Sequence, residues 1–271
     1  MKTFKTLLLV IFSIVALDSC SRNTTTMTRE DESTEVLTFG RAKKNIVLEN
    51  QTGSIDITGT DASQDIFVRI VRRASGSDSG DAETHIEDVK ISKETTGEDI
   101  IFKTEYPGGD DRKYSVSYFI VVPKYSNITI KQENGDINVK NTANNSLKIE
   151  SGSGEININN VWAREMNVES GNGNLTADFW PLENSTAEFE LGNGNAKISI
   201  PANSNASIDV NNENGAITNE GLPWLNSSPS KNQFSGVLGT GKSVIKCSVG
   251  NGNIFLRSSG NQFEIPSTSQ K

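Results

Sequence analysis

The residues most suggestive of chemistry form the stretch GVLGTGKS, from Gly236 to Ser243. They match the phosphate-binding pattern G-x-x-x-x-G-K-[ST], with Gly241, Lys242 and Ser243 in the last defined positions. A phosphate-binding loop also needs a buried strand before it and a helix after it, because backbone N–H groups of loop and helix hold the phosphates. The following VIKCSV alternates in a β-rich pattern, and the preceding SPSKNQFS is not typical of a buried strand. We therefore expect a glycine-rich turn that binds no nucleotide.

Other side chains that could carry catalysis or bind a metal are few. His85 is the only histidine, and a lone histidine supplies neither a catalytic triad nor a transition-metal cluster. Acidic residues cluster in two polar segments, at Asp78, Asp81, Glu83, Asp110 and Asp111. Neither segment has a known calcium-loop spacing, so we expect solvated loops. The sequence predicts no catalytic residue, no metal site and no cofactor.

The first twenty residues have the pattern of an export signal. Lys2 and Lys5 precede an apolar run from Leu7 to Val15, which is too short for a stable membrane span. The tetrapeptide LDSC, ending at Cys20, resembles a bacterial lipobox, in which the cysteine is acylated and becomes the new N-terminus. We predict a lipoprotein signal peptide at residues 1–19 and membrane anchoring through lipidated Cys20, with an ordinary signal peptide cut elsewhere as the alternative. Several acyl chains suffice for anchoring, because each buried methylene contributes about 0.8 kcal/mol.

Charge and composition limit the partners and the compartment. Removal of residues 1–19 takes away two lysines and one aspartate, so the formal net charge changes from −8 to −9. An acidic chain repels nucleic acid and anionic head groups, so nucleic acid is not an expected partner. Cys247 would have no disulfide partner once Cys20 is lipidated, and Ser21 at the next position favours the outer membrane. The polar residues 20–37 are predicted to be a flexible tether.

A repeat organises most of the chain. Alternating, mostly apolar positions lead to a short polar stretch that ends in glycine, and apolar residues resume two and usually four places later. The repeated glycines are Gly53, Gly135, Gly154, Gly173, Gly194, Gly215 and Gly252. Alternation predicts strands with one buried face, and the frequent Asn-Gly pairs predict tight corners with positive φ. Cys247 stands at a repeated core position five residues before Gly252, so we expect a buried thiol.

The constant period favours a parallel β-solenoid. Successive glycines from Gly135 to Gly215 are 19 to 21 residues apart, as expected when equivalent positions stack coil upon coil. Asn-Gly also favours two-residue hairpins, and strand phase alone does not exclude an antiparallel β-meander sandwich. The solenoid domain is predicted over residues 38–262, with excursions between Gly53 and Gly135 and before Gly252. Residues 263–271 are predicted to be a disordered tail.

The order of the motifs resembles a bacterial family of uncharacterised envelope proteins, the "putative adhesin" or toastrack β-strand-repeat family. The shared elements are G-x-I-x-I at Gly53, V-P-K at 122–124, successive N-G-x-I repeats, I-P at 200–201 and a closing pair of glycine motifs at 239–254. The resemblance covers nearly all of residues 38–258. It implies an all-β, right-handed, parallel β-helix-like solenoid with 19–21-residue coils, and it carries over no catalytic residue set.

The function expected from these features is non-enzymatic. We predict a cell-envelope lipoprotein whose β-repeat scaffold presents loops and an Asn-rich face to an unknown protein or glycan. One alternative is an envelope-sensing component of a signalling system, and a second is a polysaccharide-acting β-helix enzyme. Trp162, Trp180 and Trp224 are candidate partner-contact residues, because exposed indole rings stack on sugars or anchor protein partners. Packing of the solenoid's corners and long loop is their alternative role.

Overall fold

The computed structural model describes residues 27–38, 45–63, 65–108 and 113–259, and for 27–38 it describes the backbone alone. The predicted signal peptide, the predicted lipidation site Cys20 and the predicted C-terminal tail lie outside these ranges. Within the described ranges, the chain forms twenty strands and one helix, and this eight-residue helix is not long enough to cross a membrane.

The elements of the first half are β1 (Met27–Thr38), β2 (Asn45–Thr52), β3 (Ile55–Thr60), β4 (Asp65–Gly76), α1 (Ser79–Ile86), β5 (Lys90–Thr96), β6 (Asp99–Glu105), β7 (Tyr114–Pro123), β8 (Asn127–Asn134), β9 (Ile137–Lys140) and β10 (Ala143–Ser153). Those of the second half are β11 (Ile156–Asn172), β12 (Leu175–Phe179), β13 (Thr186–Asn193), β14 (Ala196–Ile200), β15 (Ala206–Asn214), β16 (Ile217–Glu220), β17 (Asn226–Pro229), β18 (Gln233–Leu238), β19 (Ser243–Asn251) and β20 (Ile254–Ser258).

Alternating side chains explain why these segments form strands. In β8, Ile128 and Ile130 are fully buried, while Thr129 between them is partly exposed. The pattern recurs in β10, where Leu147 and Ile149 are fully buried. Because successive strand side chains point to opposite faces, each strand gives one face to the core and one to solvent. Burial of the apolar face stabilises the fold by about 25 cal/mol per Å².

The strands form two sheets around one hydrophobic core. Sheet A has the order β1-β4-β7-β3-β9-β11-β12-β14-β20-β16, and sheet B has the order β5-β6-β2-β8-β10-β11-β13-β19-β15-β18-β17. Each coil gives one strand to each sheet, and the long β11 contributes its first part to sheet A and its second part to sheet B. Neighbouring coils are parallel and in register, with Ile149 between Ile130 and Val168. The predicted parallel β-solenoid is confirmed, and the antiparallel meander is wrong for the coils.

The coils do not stack in the order of the sequence. The first coil, β2 and β3, lies between the coil of β6 and β7 and the coil of β8 and β9. The coil that comes last in the sequence, β19 and β20, lies between the coil of β13 and β14 and the coil of β15 and β16, which is the last coil of the stack. At each end, the outermost coil therefore comes from an internal part of the sequence.

Antiparallel strands cap both ends of the solenoid. The first cap comprises β1, β4, α1 and β5, of which β4 pairs with β7, β1 with β4, and β5 with β6. The second cap comprises residues 221–225 with β17 and β18, which extend sheet B beyond β15. Both caps fall within the two excursions expected from the sequence, apart from β1, which precedes the first coil.

Strand β1 corrects the prediction of a flexible tether over residues 20–37. Its twelve residues pair antiparallel with β4 along the whole length of that strand. The segment lacks apolar periodicity, but an edge strand obtains its hydrogen bonds from the backbone of its neighbour. Side-chain pattern therefore does not reveal the pairing.

Helix α1 replaces one of the expected acidic loops. Asp78 caps the helix, because its side chain accepts a hydrogen bond from the Asp81 N–H at 2.9 Å. Ala82 and Ile86 lie one turn apart and are both buried. The other acidic pair, Asp110 and Asp111, lies outside the described residues.

Candidate functional site

The glycines at the corners of the coils form one continuous column. Their φ values run from +122° at Gly135 to +151° at Gly215, a region that favours glycine. A Cβ atom on Gly173 would lie 1.8 Å from the carbonyl oxygen of Gly154 in the next coil. Similar clashes of 2.1 Å or less would occur at the other six positions, namely Gly53, Gly135, Gly154, Gly194, Gly215 and Gly252. Backbone stacking therefore requires glycine at all seven corners.

A second glycine column lies two residues before the first, and it was not among the glycines predicted from the repeat. It contains Gly152, Gly171, Gly192 and Gly250, where a Cβ atom would approach a backbone oxygen of the neighbouring coil to between 2.5 and 2.7 Å. The signal in the sequence is the G-x-G spacing in four of the repeats. Each coil corner in the middle of the solenoid is thus bare of side chains at two positions.

Asparagine ladders flank the corner column. The Asn193 amide donates to the Asn172 side chain at 2.9 Å, and the Asn251 amide donates to Asn193 at the same distance. The Asn214 amide donates to Asn251 at 3.1 Å, which extends the ladder to the last coil. These side chains bond to one another, so the Asn-rich face expected to meet a partner serves first to join neighbouring coils.

A parallel ladder runs on the other side of the corner. The Asn174 side-chain oxygen accepts from the Asn195 backbone N–H, and Asn195 accepts in the same way from Asn253, each at 2.9 Å. Asp136 repeats the pattern by accepting from the Glu155 backbone N–H at 2.9 Å. Amide stacking at strand spacing thus satisfies polar groups along much of the solenoid.

Charged side chains on the outer face of sheet B also pair with one another. Lys148 lies 2.8 Å from Glu150, and this hydrogen bond holds the pKa of Glu150 below its usual value. Lys246 lies 2.9 Å from Glu188, and the same type of contact raises the pKa of Lys246. Both pairs are exposed, so their contribution to stability is small.

The three candidate tryptophans lie at separate places in the fold. Trp224 belongs to the second cap, where its ring packs edge-on against Phe234 at 4.9 Å between centroids. Trp180 donates from its indole N–H to the Asn160 side chain, and the Lys124 ammonium lies 4.5 Å from its ring centroid. Trp162 is half-buried in β11 and stands beside Ala143 of the neighbouring coil.

These positions bear on the two roles considered for the tryptophans. Trp180 closes a coil corner, and Trp224 packs under the long excursion, as the packing role requires. Direct contact of Trp162, Trp180 or Trp224 with a partner stays a prediction.

The stretch that matches a phosphate-binding pattern connects two strands. β18 ends at Leu238, a turn with positive φ at Gly239 and Gly241 follows, and β19 begins at Ser243. Ser243 is fully buried, and its side-chain oxygen accepts from the Ser185 backbone N–H at 3.2 Å. Lys242 is exposed. The segment therefore lacks the strand–loop–helix geometry that holds phosphates.

Three groups whose pKa values are raised by burial lie in different coils of the fold. Cys247 is 3% exposed, and burial raises the pKa of its thiol to about 12. Burial also raises the pKa of Tyr118 to about 12 and that of the half-buried Asp178 above its usual range. Across the described part of the chain, no three His, Cys, Asp or Glu side chains group closely enough to hold a metal. The His85 side chain instead contacts its own helix, with its Nδ1 atom 2.8 Å from the Asp81 backbone oxygen.

A cleft of about 450 Å³ lies on the outer face of sheet B, at the second cap. It is lined by strands β15, β17, β18 and β19, which the sequence separates by up to 40 residues. The main side chains around it are Ser207, Asp209, Asn226, Ser235, Val237, Val244 and Lys246. The sequence did not predict this site, because Val237 fills a variable position of the stretch GVLGTGKS, the other lining residues were in no predicted site, and their proximity depends on the order of the coils.

Comparison with known proteins gives a family match. A family model described as Toastrack DUF4097 matches residues 14–257. No curated protein matches the chain in sequence.

Solved structures give distant likenesses. One is a putative cell adhesion protein from Clostridium sporogenes ATCC 15579, with 15% identity and a TM-score of 0.47, over 85% of this chain and 100% of that one. Another is a putative adhesin from Bacteroides fragilis NCTC 9343, with 13% identity and a TM-score of 0.45, over 84% of this chain and 97% of the other.

Proposed function

The chain belongs to the Toastrack DUF4097 family, and from its geometry we propose a non-enzymatic lipoprotein of the bacterial cell envelope that binds a surface ligand through a rigid β-solenoid. The observation that carries this proposal is the division of polar groups between coils and caps. In the coils, asparagine side chains bond to asparagines of adjacent coils, and Lys246 pairs with Glu188 of the neighbouring strand β13. The scaffold is thereby stiffened, and the side chains left for a ligand are concentrated at a cap.

Membrane anchoring is supported by the sequence and by the position of β1. Lys2, Lys5 and the apolar run before Cys20 form the expected export signal. Strand β1 begins at Met27, so seven residues link the proposed lipid to the first sheet. A chain of this length spans at most about 25 Å. We infer that the first cap is held close to the outer membrane and that the second cap faces away from it.

A binding role rather than catalysis is supported by the separation of the perturbed titratable groups. Catalytic sites bring a nucleophile, an acid or base and a charge-stabilising group within reach of one substrate. Here Asp178 of β12 and Cys247 of β19 lie in different coils from Tyr118 of β7. Tyr106 lies near Tyr118 and also has a pKa raised by burial, but two neutral tyrosines do not form such a set. Their pKa values are raised by burial, which is what structural positions in a core produce.

The proposed function can be tested in cells that produce the protein. Labelling with radioactive palmitate is expected to mark the wild-type chain and to be lost in a Cys20→Ser variant. Protease added to intact cells is expected to remove the solenoid domain. Palmitate labelling that does not depend on Cys20 would contradict the anchoring. Release of reducing ends from a panel of polysaccharides by the purified protein would instead support the enzyme alternative.

A further inference from the structure

At the cleft of the second cap, four strands combine to form a concave outer surface. Because β17 and β19 both line it and two other strands separate them in the sheet, sheet B must curl toward solvent here. A second depression of about 270 Å³ continues the cleft and shares Asp209, Ser228 and Ser235 with it. Together they form an elongated groove of the size range typical of small-ligand sites.

The floor and the rim of the cleft differ in polarity. Val237 and Val244 face outward from the floor and are only partly exposed. Asp209, Asn226 and Ser235 stand around them and are exposed. The site thus offers an apolar surface surrounded by a carboxylate, an amide and hydroxyl groups.

Several polar side chains of the rim make no hydrogen bond within the described part of the protein, although Ser207 donates to the Gly241 carbonyl oxygen and Asp209 stands beside Lys246. No hydrogen bond links the side chains of Asp209, Asn226, Ser228 or Ser235 to another described residue. The coil asparagines differ, because Asn193 both donates to Asn172 and accepts from Asn251. The cleft combines unbonded polar side chains, an apolar floor and a concave shape, and these are open to a ligand.

We propose that this cleft binds a neutral oligosaccharide, which makes the ligand class of the proposed function specific and rests on that function. A sugar ring presents an apolar C–H face and a rim of hydroxyl groups, which matches the valine floor and the polar rim. The Asp209 carboxylate accepts hydrogen bonds from sugar hydroxyl groups, and the serine hydroxyls both donate and accept them.

Other ligand classes fit the cleft less well. Lys246 also lines the cleft, but it stands beside Asp209 and its ammonium lies 2.9 Å from Glu188, so two carboxylates offset its attraction for phosphate and other anions. The net charge of −8 adds to the repulsion of anions. A peptide strand could add to the edge of β17, but this strand has four residues and ends in Pro229, which has no N–H to donate.

The floor is held in shape from the opposite side of the sheet. A Cβ atom on Gly236 would lie 2.5 Å from the Trp224 ring, so only glycine lets the indole pack directly under β18. Trp224 also contacts Phe234, which is 3% exposed. Trp224 is therefore a positioning residue for the cleft, and Gly236 of the phosphate-pattern stretch serves this packing.

The test measures sugar binding by the full-length protein and by variants of the cleft. An array of neutral oligosaccharides of two to six sugar units identifies the best probe, which is then titrated by calorimetry. Ser235→Tyr fills the cleft, and Asp209→Ala removes its acceptor. The matched controls are Thr129→Tyr and Glu169→Ala, which lie on the outer face of the same sheet in regular coils. We expect at least a tenfold loss of affinity in both cleft variants and less than a twofold change in both controls.

Two results would overturn the assignment of the cleft. One is the absence of binding to any neutral oligosaccharide at millimolar concentration, and the other is equal binding by the cleft variants and the wild type. The proposed envelope function is judged separately, by Cys20-dependent palmitate labelling and by protease removal from intact cells. If the protein binds no sugar but is labelled through Cys20, the cleft assignment fails and the proposed envelope function stands. If the labelling does not depend on Cys20, the proposed envelope function is contradicted.

Discussion

The regular coils and the two caps stabilise the chain in different ways. In the coils, parallel strands in register bring identical backbone groups together, and two glycine columns allow this close stacking at the corners. In the caps, the chain reverses direction, and antiparallel strands continue the sheets. Aromatic packing such as Trp224 on Phe234 covers the exposed end of the core. The repeated coils therefore form the scaffold. The caps, where the repeat is interrupted, have surfaces that differ in shape from the coils.

The buried polar side chains follow the same division. Asn50 and Gln132, in coils near the first cap, donate to the carbonyl oxygens of Val116 and Gly53 at 3.0 and 2.7 Å. Asn212, in the last coil, donates to the Gly252 carbonyl oxygen at 2.8 Å. The equivalent positions of two middle coils hold Leu191 and Val249. Side-chain amides thus satisfy backbone groups near the solenoid's ends, whereas apolar packing suffices in part of its middle.

The largest expected effect comes from adding one methyl group at a coil corner. Gly173→Ala places a Cβ atom 1.8 Å from a backbone oxygen, so we expect a loss of about 4 kcal/mol or more in the free energy of unfolding. Gly97→Ala, in the β5–β6 hairpin of the first cap, also changes a glycine with positive φ, +56° against +138° at Gly173, but has nothing within 4 Å of the new atom. Its cost is expected to be about 1–2 kcal/mol, from backbone strain alone. Equal midpoints for the two variants in urea unfolding would break the comparison.

Removal of the main aromatic ring of the second cap should have a smaller and local effect. Trp224→Ala is expected to destabilise the cap by about 3 kcal/mol, because a buried aromatic contact is lost. Each coil contacts only the coil on either side of it. A change in the cap should therefore leave the stability of the middle of the solenoid unchanged. Hydrogen exchange read residue by residue is the measurement. Faster exchange in β17 and β18 with unchanged exchange in β10 and β11 is expected, and a uniform increase along the chain would show that the cap is not independent.

The asparagine ladder should contribute less than either. Asn193→Ala removes one donated and one accepted side-chain hydrogen bond, at an expected cost of about 1–2 kcal/mol. Asn203→Ala, at an exposed turn before β15, is the control and should change stability by less than about 0.5 kcal/mol. Thermal unfolding of both variants measures the difference. A ladder variant no less stable than the control would show that the amides do not join the coils.

The smallest change to the protein compares the reaction rate of the buried Cys247 thiol in a coil with that of a thiol introduced in the turn after β18. The folded pKa of Cys247 is raised to about 12, above its unfolded value, so the neutral thiol contributes fully below the unfolded pKa. This contribution is lost as the pH rises through the folded pKa. At pH 8 in a Cys20→Ser background, we expect Cys247 to resist a thiol reagent until the protein unfolds. A Thr240→Cys variant, in the exposed turn after β18, should react at the rate of a free thiol, and equal rates would contradict the burial.

The coils were predictable from the sequence because residues close together in the chain specify each of them. Alternating apolar positions and Asn-Gly corners specify each strand–turn–strand unit, and the seven predicted glycines all have positive φ. The order of the coils was not predictable, because all units present the same backbone edge and Gly252 could stack on Gly194 or on Gly215. In the structure it stacks between them.

The parts that escaped prediction depend on distant segments. Strand β1 needs the free edge of β4, and α1 forms on an acidic segment through the Asp78 cap. The cleft joins Asp209 with Ser235 only because β18 returns beside β15. Single serine and asparagine residues carry no periodic signal, so the candidate site becomes visible only when the pairing of the strands is known.

The most direct test of the account is hydrogen exchange of the full-length protein with and without the best-binding oligosaccharide. We predict slow exchange throughout the coils in both states, and protection on ligand addition confined to β15, β17, β18 and β19. Protection along the ladder from Asn172 to Asn214, or exchange equally fast in coils and caps without ligand, would contradict the division between a rigid scaffold and a binding cap.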